Sequence, residues 1–116
     1  MTETIIERDG DLPIRFVGEL IAEVDSYTPG KLRWTALSAY RTSTGKYVLH
    51  EEGLTEVDGE GDRSSAIVSE DAGKFVVSLY KVNDAGRPYI TRLAQDLLGE
   101  AAKVDPDVGR AGFVEV

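Results

Sequence analysis

The alternation of apolar and polar residues is clearest between Ile14 and Val24. The even positions there are Ile14, Phe16, Gly18, Leu20, Ala22 and Val24, and the odd ones are Arg15, Val17, Glu19, Ile21 and Glu23. A period of two with one mostly apolar face predicts a half-buried antiparallel strand. Gly18 on that face marks a bulge or a closely crossing neighbour. A short strand over 3–8 precedes it, joined by an Asp9-Gly10 turn. After the turn formers of 25–30 come two more strands, about 31–42 and 46–57, with Ser43-Thr44-Gly45 as a three-residue hairpin loop. If Thr42 pairs with Lys46, Tyr40 faces Val48, Ser38 faces His50 and Trp34 faces Leu54. The opposite face then carries Leu37, Ala39, Arg41, Tyr47 and Leu49.

Beyond the acidic loop 58–65 the pattern predicts short strands over 66–69 and 74–82 (KFVVSLYKV). Pro88 then opens a helix at the position where its missing N–H costs nothing. Ile90, Leu93, Ala94, Leu97, Leu98, Ala101 and Ala102 form one apolar stripe at helical spacing, and Asp105-Pro106 ends it. The tail 108–116 is read as loose, or as a last edge strand through Gly112, Phe113 and Val114. The expected architecture is α+β in a single domain, residues 1–116. It has an antiparallel sheet of about six strands built from hairpins, packed by one long C-terminal helix.

Composition narrows the function classes. A chain of 116 residues can bury a core without a disulfide or metal staple. It has no cysteine, which excludes a disulfide scaffold, a thiol nucleophile and Cys-based metal sites. The segment MTETIIERDG lacks the pattern of a signal peptide, and no apolar run approaches the ~18 residues of a membrane span. The expected setting is therefore the bacterial cytoplasm, with no membrane partner.

The net charge of −8 opposes wholesale nucleic-acid binding, but it is unevenly spread. Residues 26–50 hold Lys31, Arg33, Arg41 and Lys46 and no acid, a net of +4. Residues 51–71 hold eight acids against Arg63 alone, a net of −7. The basic stretch also carries Tyr27, Trp34, Tyr40 and Tyr47. Arg, Tyr and Trp are the residues of protein–protein hot spots. The same mixture can follow a phosphate backbone and stack bases. In the plain alternative, the aromatics are core and the charges blunt strand edges.

His50 is the only imidazole. With Ser38 opposite it and Glu51 and Glu52 beside it, it is the one place for a Ser-His-acid constellation. No GxSxG elbow supports that reading. Asp58, Glu60 and Asp62 alternate like calcium ligands, but positions six and twelve of an EF-hand loop would be Arg63 and Ser69. Of the acid pairs, Glu51 and Glu52 cannot share one proton, because strand neighbours point to opposite faces, and Glu70-Asp71 lies at a turn.

Two segments, 15–23 (RFVGELIAE) and Tyr40-Arg41-Thr42 with 45–50 (GKYVLH), resemble a pattern of small actinobacterial proteins of the EXLDI type. The likeness spans about residues 14–53. The chain ends in Phe113-Val114-Glu115-Val116 in place of the terminal EXLDI motif, and has no ribbon-helix-helix-like segment at its front. The resemblance brings no catalytic or binding residue with it.

The expectation is a non-enzymatic module that binds a protein partner through the hairpin surface of Trp34, Tyr40, Arg41, Tyr47 and His50, with no cofactor or metal. The alternatives are nucleic-acid binding by the same hairpin, an acidic DNA mimic built on 51–71, an enzyme centred on His50, and a homodimer through an edge strand at Gly112–Val116.

Overall fold

Hairpin turns and two-residue alternation build the first two-thirds of the chain into an antiparallel meander. The computed structural model describes residues 2–114 and Val116. Its main sheet runs in the order β1 (Thr2–Ile6), β2 (Ile14–Asp25), β3 (Arg33–Thr42), β4 (Tyr47–Thr55) and β5 (Arg63–Ser69). Helix α1 (Ala72–Ser78), a small hairpin of β6 (Lys81–Val82) and β7 (Pro88–Tyr89), α2 (Arg92–Val104) and α3 (Pro106–Gly112) complete the α+β fold. The main sheet has five strands, not six, and three helices replace the single long one.

The central hairpin follows its turn. Tyr40 pairs with Val48, Ser38 with His50 and Trp34 with Leu54. Thr42 N–H donates to the Lys46 carbonyl at 2.8 Å across the loop. One sheet face carries Leu37, Ala39, Tyr47 and Leu49 and receives the helices, which contribute Phe75, Val76, Leu79, Ala94, Leu97, Leu98, Ala101 and Val108 to the core. The other face closes on itself. Asp9 N–H donates to the Ser64 carbonyl, and Ser64 N–H donates to the Asp9 carboxylate, both at 2.9 Å. These bonds draw the chain after β1 onto β5, the opposite edge of the sheet. The sheet is curled, with Ile6 and Val48 buried inside the curl.

Strand β2 departs from simple alternation. Leu20 pairs with Tyr40 but Ala22 pairs with Ala39, so Ile21 is an extra residue on β2. A bulge of one residue exchanges the faces. Ile14, Phe16 and Leu20 are on the curl side, with Leu20 left exposed, whereas Ala22 and Val24 turn to the helices. The single apolar face expected over Ile14–Val24 is thus two half-faces. Gly18 marks a close approach: a Cβ there would sit 2.5 Å from the Arg41 carbonyl oxygen and 2.9 Å from Thr42 Cα. Backbone atoms cannot yield as a flexible side chain does, so Gly18→Ala is expected to destabilise the fold by about 2 kcal/mol. A urea midpoint unchanged within error would contradict that contact.

The strand expected over 74–82 is mostly helix α1. Asp71 caps it, its carboxylate accepting from Lys74 N–H at 2.8 Å. Phe75 and Leu79, four apart, are buried together, while Val77 is 71% exposed. The helix expected from Pro88 begins at Arg92 behind the cap Thr91. Pro88 is instead the partner of Val82 in the small hairpin. The apolar stripe of α2 faces the core as expected, and α2 ends at Val104. Pro106 then opens α3, so the tail is neither loose from 108 nor an edge strand. Gly112 is helical and Phe113 and Val114 form no strand, so the edge strand expected over 112–116 is absent from the described residues; Glu115 lies outside them. No helix among the described residues is long and apolar enough to cross a membrane.

Candidate functional site: a cationic groove at the bare end of the sheet

The five residues expected to form one surface are divided between the two faces of the sheet. Arg41 and Tyr47 lie on the helix side, held by Asp105. Arg41 Nη1 donates to both Asp105 oxygens at 3.0 and 3.1 Å, and the Tyr47 hydroxyl donates to Oδ2 at 2.7 Å. Arg41 Nη2 also meets Asp107 at 3.0 Å. Asp105 is buried and caps α3 through Asp107 N–H at 2.9 Å. Burial and the Asp105 hydrogen bond push the Tyr47 phenol well above its ordinary range. These groups form an internal tether from β3 and β4 to α3.

Trp34, Tyr40 and His50 share the other face. Tyr40 is half-buried edge-to-face with Phe16, ring centroids 5.3 Å apart. Burial first, then Glu23 and Glu52, raises its phenol pKa. His50 Nε2 lies 2.8 Å from Ser64 Oγ, and that Oγ donates its only proton to the Glu7 carbonyl at 2.6 Å. Ser64 therefore accepts from the imidazole N–H. A hydroxyl in that role is not deprotonated by the ring, and Ser38 is not the hydroxyl the ring binds. His50 Nδ1 faces Glu52 at 3.8 Å. The cluster ties the two edges of the curl together and is not built for nucleophilic chemistry.

The acid groups are similarly engaged. Glu51 meets Lys81 and Glu70 meets Lys46, while Asp71 caps α1. In the loop read against calcium, Asp62 accepts from Thr55 N–H at 3.0 Å and Glu60 turns to Arg33. Among the described residues no group of three or more possible ligands could hold a metal ion.

The open chemistry lies elsewhere. The helices cover the helix-side face at Leu37 and Leu49 but leave its far end bare. There the ladder sets Arg33 beside Thr55, and Thr35 beside Gly53, which in turn pairs with Arg63. A groove of about 510 Å³ follows, lined by Lys31, Arg33, Arg63 and Glu60 among others; Trp34 also lines it, from a strand position whose side chain the register turns to the opposite face. It continues past Thr35, Gly53 and Arg63 into a second hollow of about 420 Å³ reaching Asp9 and Ser65. Gly53 gives it a low floor: a Cβ there would lie in ordinary contact with Arg63 Cβ at 3.7 Å and Nε at 3.9 Å, so Arg63 lies across it. Tyr27 packs edge-to-face on Trp34 at 4.8 Å.

Three cations thus converge on the first hollow, where Glu60 is the lining carboxylate, while Asp9 and Glu51 line the second. Arg33 Nε and Nη2 donate to the two Glu60 oxygens at 2.9 and 2.5 Å. The Thr55 hydroxyl adds a third bond to Glu60 at 2.8 Å. These bonds, Arg33 first, hold the Glu60 carboxyl down to about 2. Lys31 Nζ donates to the Ser26 carbonyl, and among the described residues Arg63 has no carboxylate within ion-pair distance. The sequence places Lys31, Arg33 and Trp34 in the basic stretch. Arg63 is hidden as the lone cation of an acidic segment, and only the β4–β5 register brings it over.

Comparison with family models, curated proteins and solved structures returns no match to this chain.

Proposed function

We propose that this protein is a non-enzymatic interaction module that binds an acidic segment of a protein partner in the Lys31–Arg33–Trp34–Arg63 groove. The observation that carries this reading is the convergence of those three cations on one open groove of a protein with net charge −8, with the single tryptophan on the strand that lines it. Of the hairpin residues singled out in the sequence, Trp34 alone belongs to it.

Range favours a peptide over a nucleic acid. Charges are screened beyond about 8 Å at physiological ionic strength, and the molecule extends over 46 × 35 × 29 Å. A short acidic segment feels chiefly the groove. A long polyanion would run on over the acidic surroundings and lose what the groove gives it. A fork of Arg33 Nε and Nη2 also matches a carboxylate in geometry.

The test uses the intrinsic fluorescence of Trp34, the only tryptophan. A short Glu-rich peptide, a Lys-rich peptide and an oligothymidylate are each titrated in. The expected result is saturable binding of the acidic peptide alone, weakening as salt is raised. Joint Arg33→Glu and Arg63→Glu replacement should cost at least about tenfold in affinity, since each exposed charge contributes a few-fold and reversal adds repulsion. Both side chains are exposed, so the circular dichroism spectrum should be retained. Preferential binding of the oligothymidylate would overturn the peptide reading, as would no binding of the acidic peptide.

A further inference from the structure

We propose that Glu60 is a built-in competitor for this groove: it occupies the place of the partner's carboxylate, and binding proceeds by its displacement. The inference rests on the reading of the groove just given and adds how the groove is regulated.

The geometry is that of a bound ligand. Both Glu60 oxygens are taken by the Arg33 fork and one is also taken by the Thr55 hydroxyl, so a carboxylate is recognised there by three donors. The residue comes from the turn between β4 and β5. Glu60 N–H closes that turn on the Val57 carbonyl at 3.1 Å, and Gly59 stands in the left-handed region at φ 84°. Asp62 staples the base of the turn to Thr55 N–H. The tip therefore carries Glu60 between two glycines, Gly59 and Gly61, above a closed base. Those glycines let the tip be rearranged with little steric cost, and the staple keeps β4 and β5 in register while it moves.

The groove is also not filled by Glu60. Arg63 and Lys31 line it without a carboxylate of their own among the described residues, so an incoming acidic segment gains contacts that Glu60 does not make. Displacement exchanges one carboxylate for another at Arg33 and adds neighbours at Arg63 and Lys31. An intramolecular ligand acts at a fixed effective concentration, so it sets a threshold that weak or singly charged segments do not pass. An exposed ion pair biases its own closed state by roughly two- to fivefold.

The experiment compares the wild type with Glu60→Gln and Thr55→Val, using the same Glu-rich peptide and Trp34 fluorescence. Glu60→Gln should bind about three- to fivefold more tightly, and Thr55→Val, which loosens one of the three bonds, should fall between. In parallel the Glu60 carboxyl is titrated by NMR in the free protein and in the peptide complex. It should return toward the ordinary carboxylate range in the complex, because the peptide has taken Arg33. If the wild type binds but Glu60→Gln binds no better, or the Glu60 carboxyl stays equally low in the complex, the competitor is wrong and the groove stands. If neither the wild type nor Glu60→Gln binds the peptide, the groove reading itself fails and the competitor with it. Tight binding by Glu60→Gln alone supports both.

Discussion

Replacing Asp105 with alanine is expected to destabilise the protein by about 3 kcal/mol, a large share of the 5–15 kcal/mol typical of such a domain. The side chain is 2% exposed and serves three roles together. It accepts both bonds from Arg41, accepts the Tyr47 hydroxyl, and caps α3. Removing one partner of a fully buried ion pair costs roughly 3–5 kcal/mol. Here Arg41 keeps 35% side-chain exposure and retains Asp107, so water and the second acid return part of that cost. The buried Tyr47 hydroxyl has no such relief, and an unsatisfied buried hydroxyl costs about 1–3 kcal/mol. The expected signature is a lower urea midpoint with an unchanged slope, and a fall in Tm of roughly 10–15 °C. Asp105→Asn can keep its one oxygen for the cap, but it puts an NH2 donor where Oδ2 accepts from Tyr47 and loses the charge, so it should recover no more than about half. In a double-mutant cycle with Tyr47→Phe, a coupling near zero would show that the hydroxyl bond contributes nothing.

Phe75→Ala is expected to be as damaging, at about 3–5 kcal/mol. The ring is fully buried and stacked on Tyr47, centroids 5.4 Å apart with planes 27° from parallel. Its removal leaves a cavity where α1, the sheet and α3 meet, below the very side chain that Asp105 holds. A neighbouring substitution makes the result diagnostic of the local structure. Val77 is two residues on; in a strand it would share the face of Phe75, and its truncation would also cost. In the helix it points to solvent, so Val77→Ala should change stability by no more than about 0.5 kcal/mol. Equal losses at 75 and 77 would contradict the helix.

That segment shows why some elements are not legible in one dimension. The run Phe75-Val76-Val77-Ser78-Leu79-Tyr80 has the β-branched and aromatic content of a strand. It also has Phe75 and Leu79 at helical spacing, and propensity favours the first reading. The local Asp71 cap favours the helix, and burial against Tyr47 and α3, which lie far along the chain, decides it. The same holds for Pro88, equally compatible with a helix start and with the hairpin it joins. It holds for Ile21, where one inserted residue exchanges the faces of β2 with no mark in the apolar pattern. The hairpin of β3 and β4 was legible because its loop is three residues long and its alternation continues on both sides.

The candidate site was half legible for the same reason. Lys31, Arg33 and Trp34 lie within four residues and stand out by composition. Arg41 and Tyr47 stood out equally but are spent on Asp105, which lies 58 residues beyond Tyr47. Arg63 and Glu60 come to Arg33 only when β4 and β5 pair.

By itself the sequence determined the α+β class, the meander of hairpins, the register around the 43–45 loop and the inward stripe of α2. Each follows from turn chemistry or from a period of two or 3.6, which act between near neighbours. Only the tertiary structure decided that α1 is a helix, that β2 changes face, that Arg41 and Tyr47 are internal, and that three cations share a groove. Those outcomes depend on burial and on charge pairing between segments far apart in the chain, and a side chain's freedom to bind is what remains after such pairs are made.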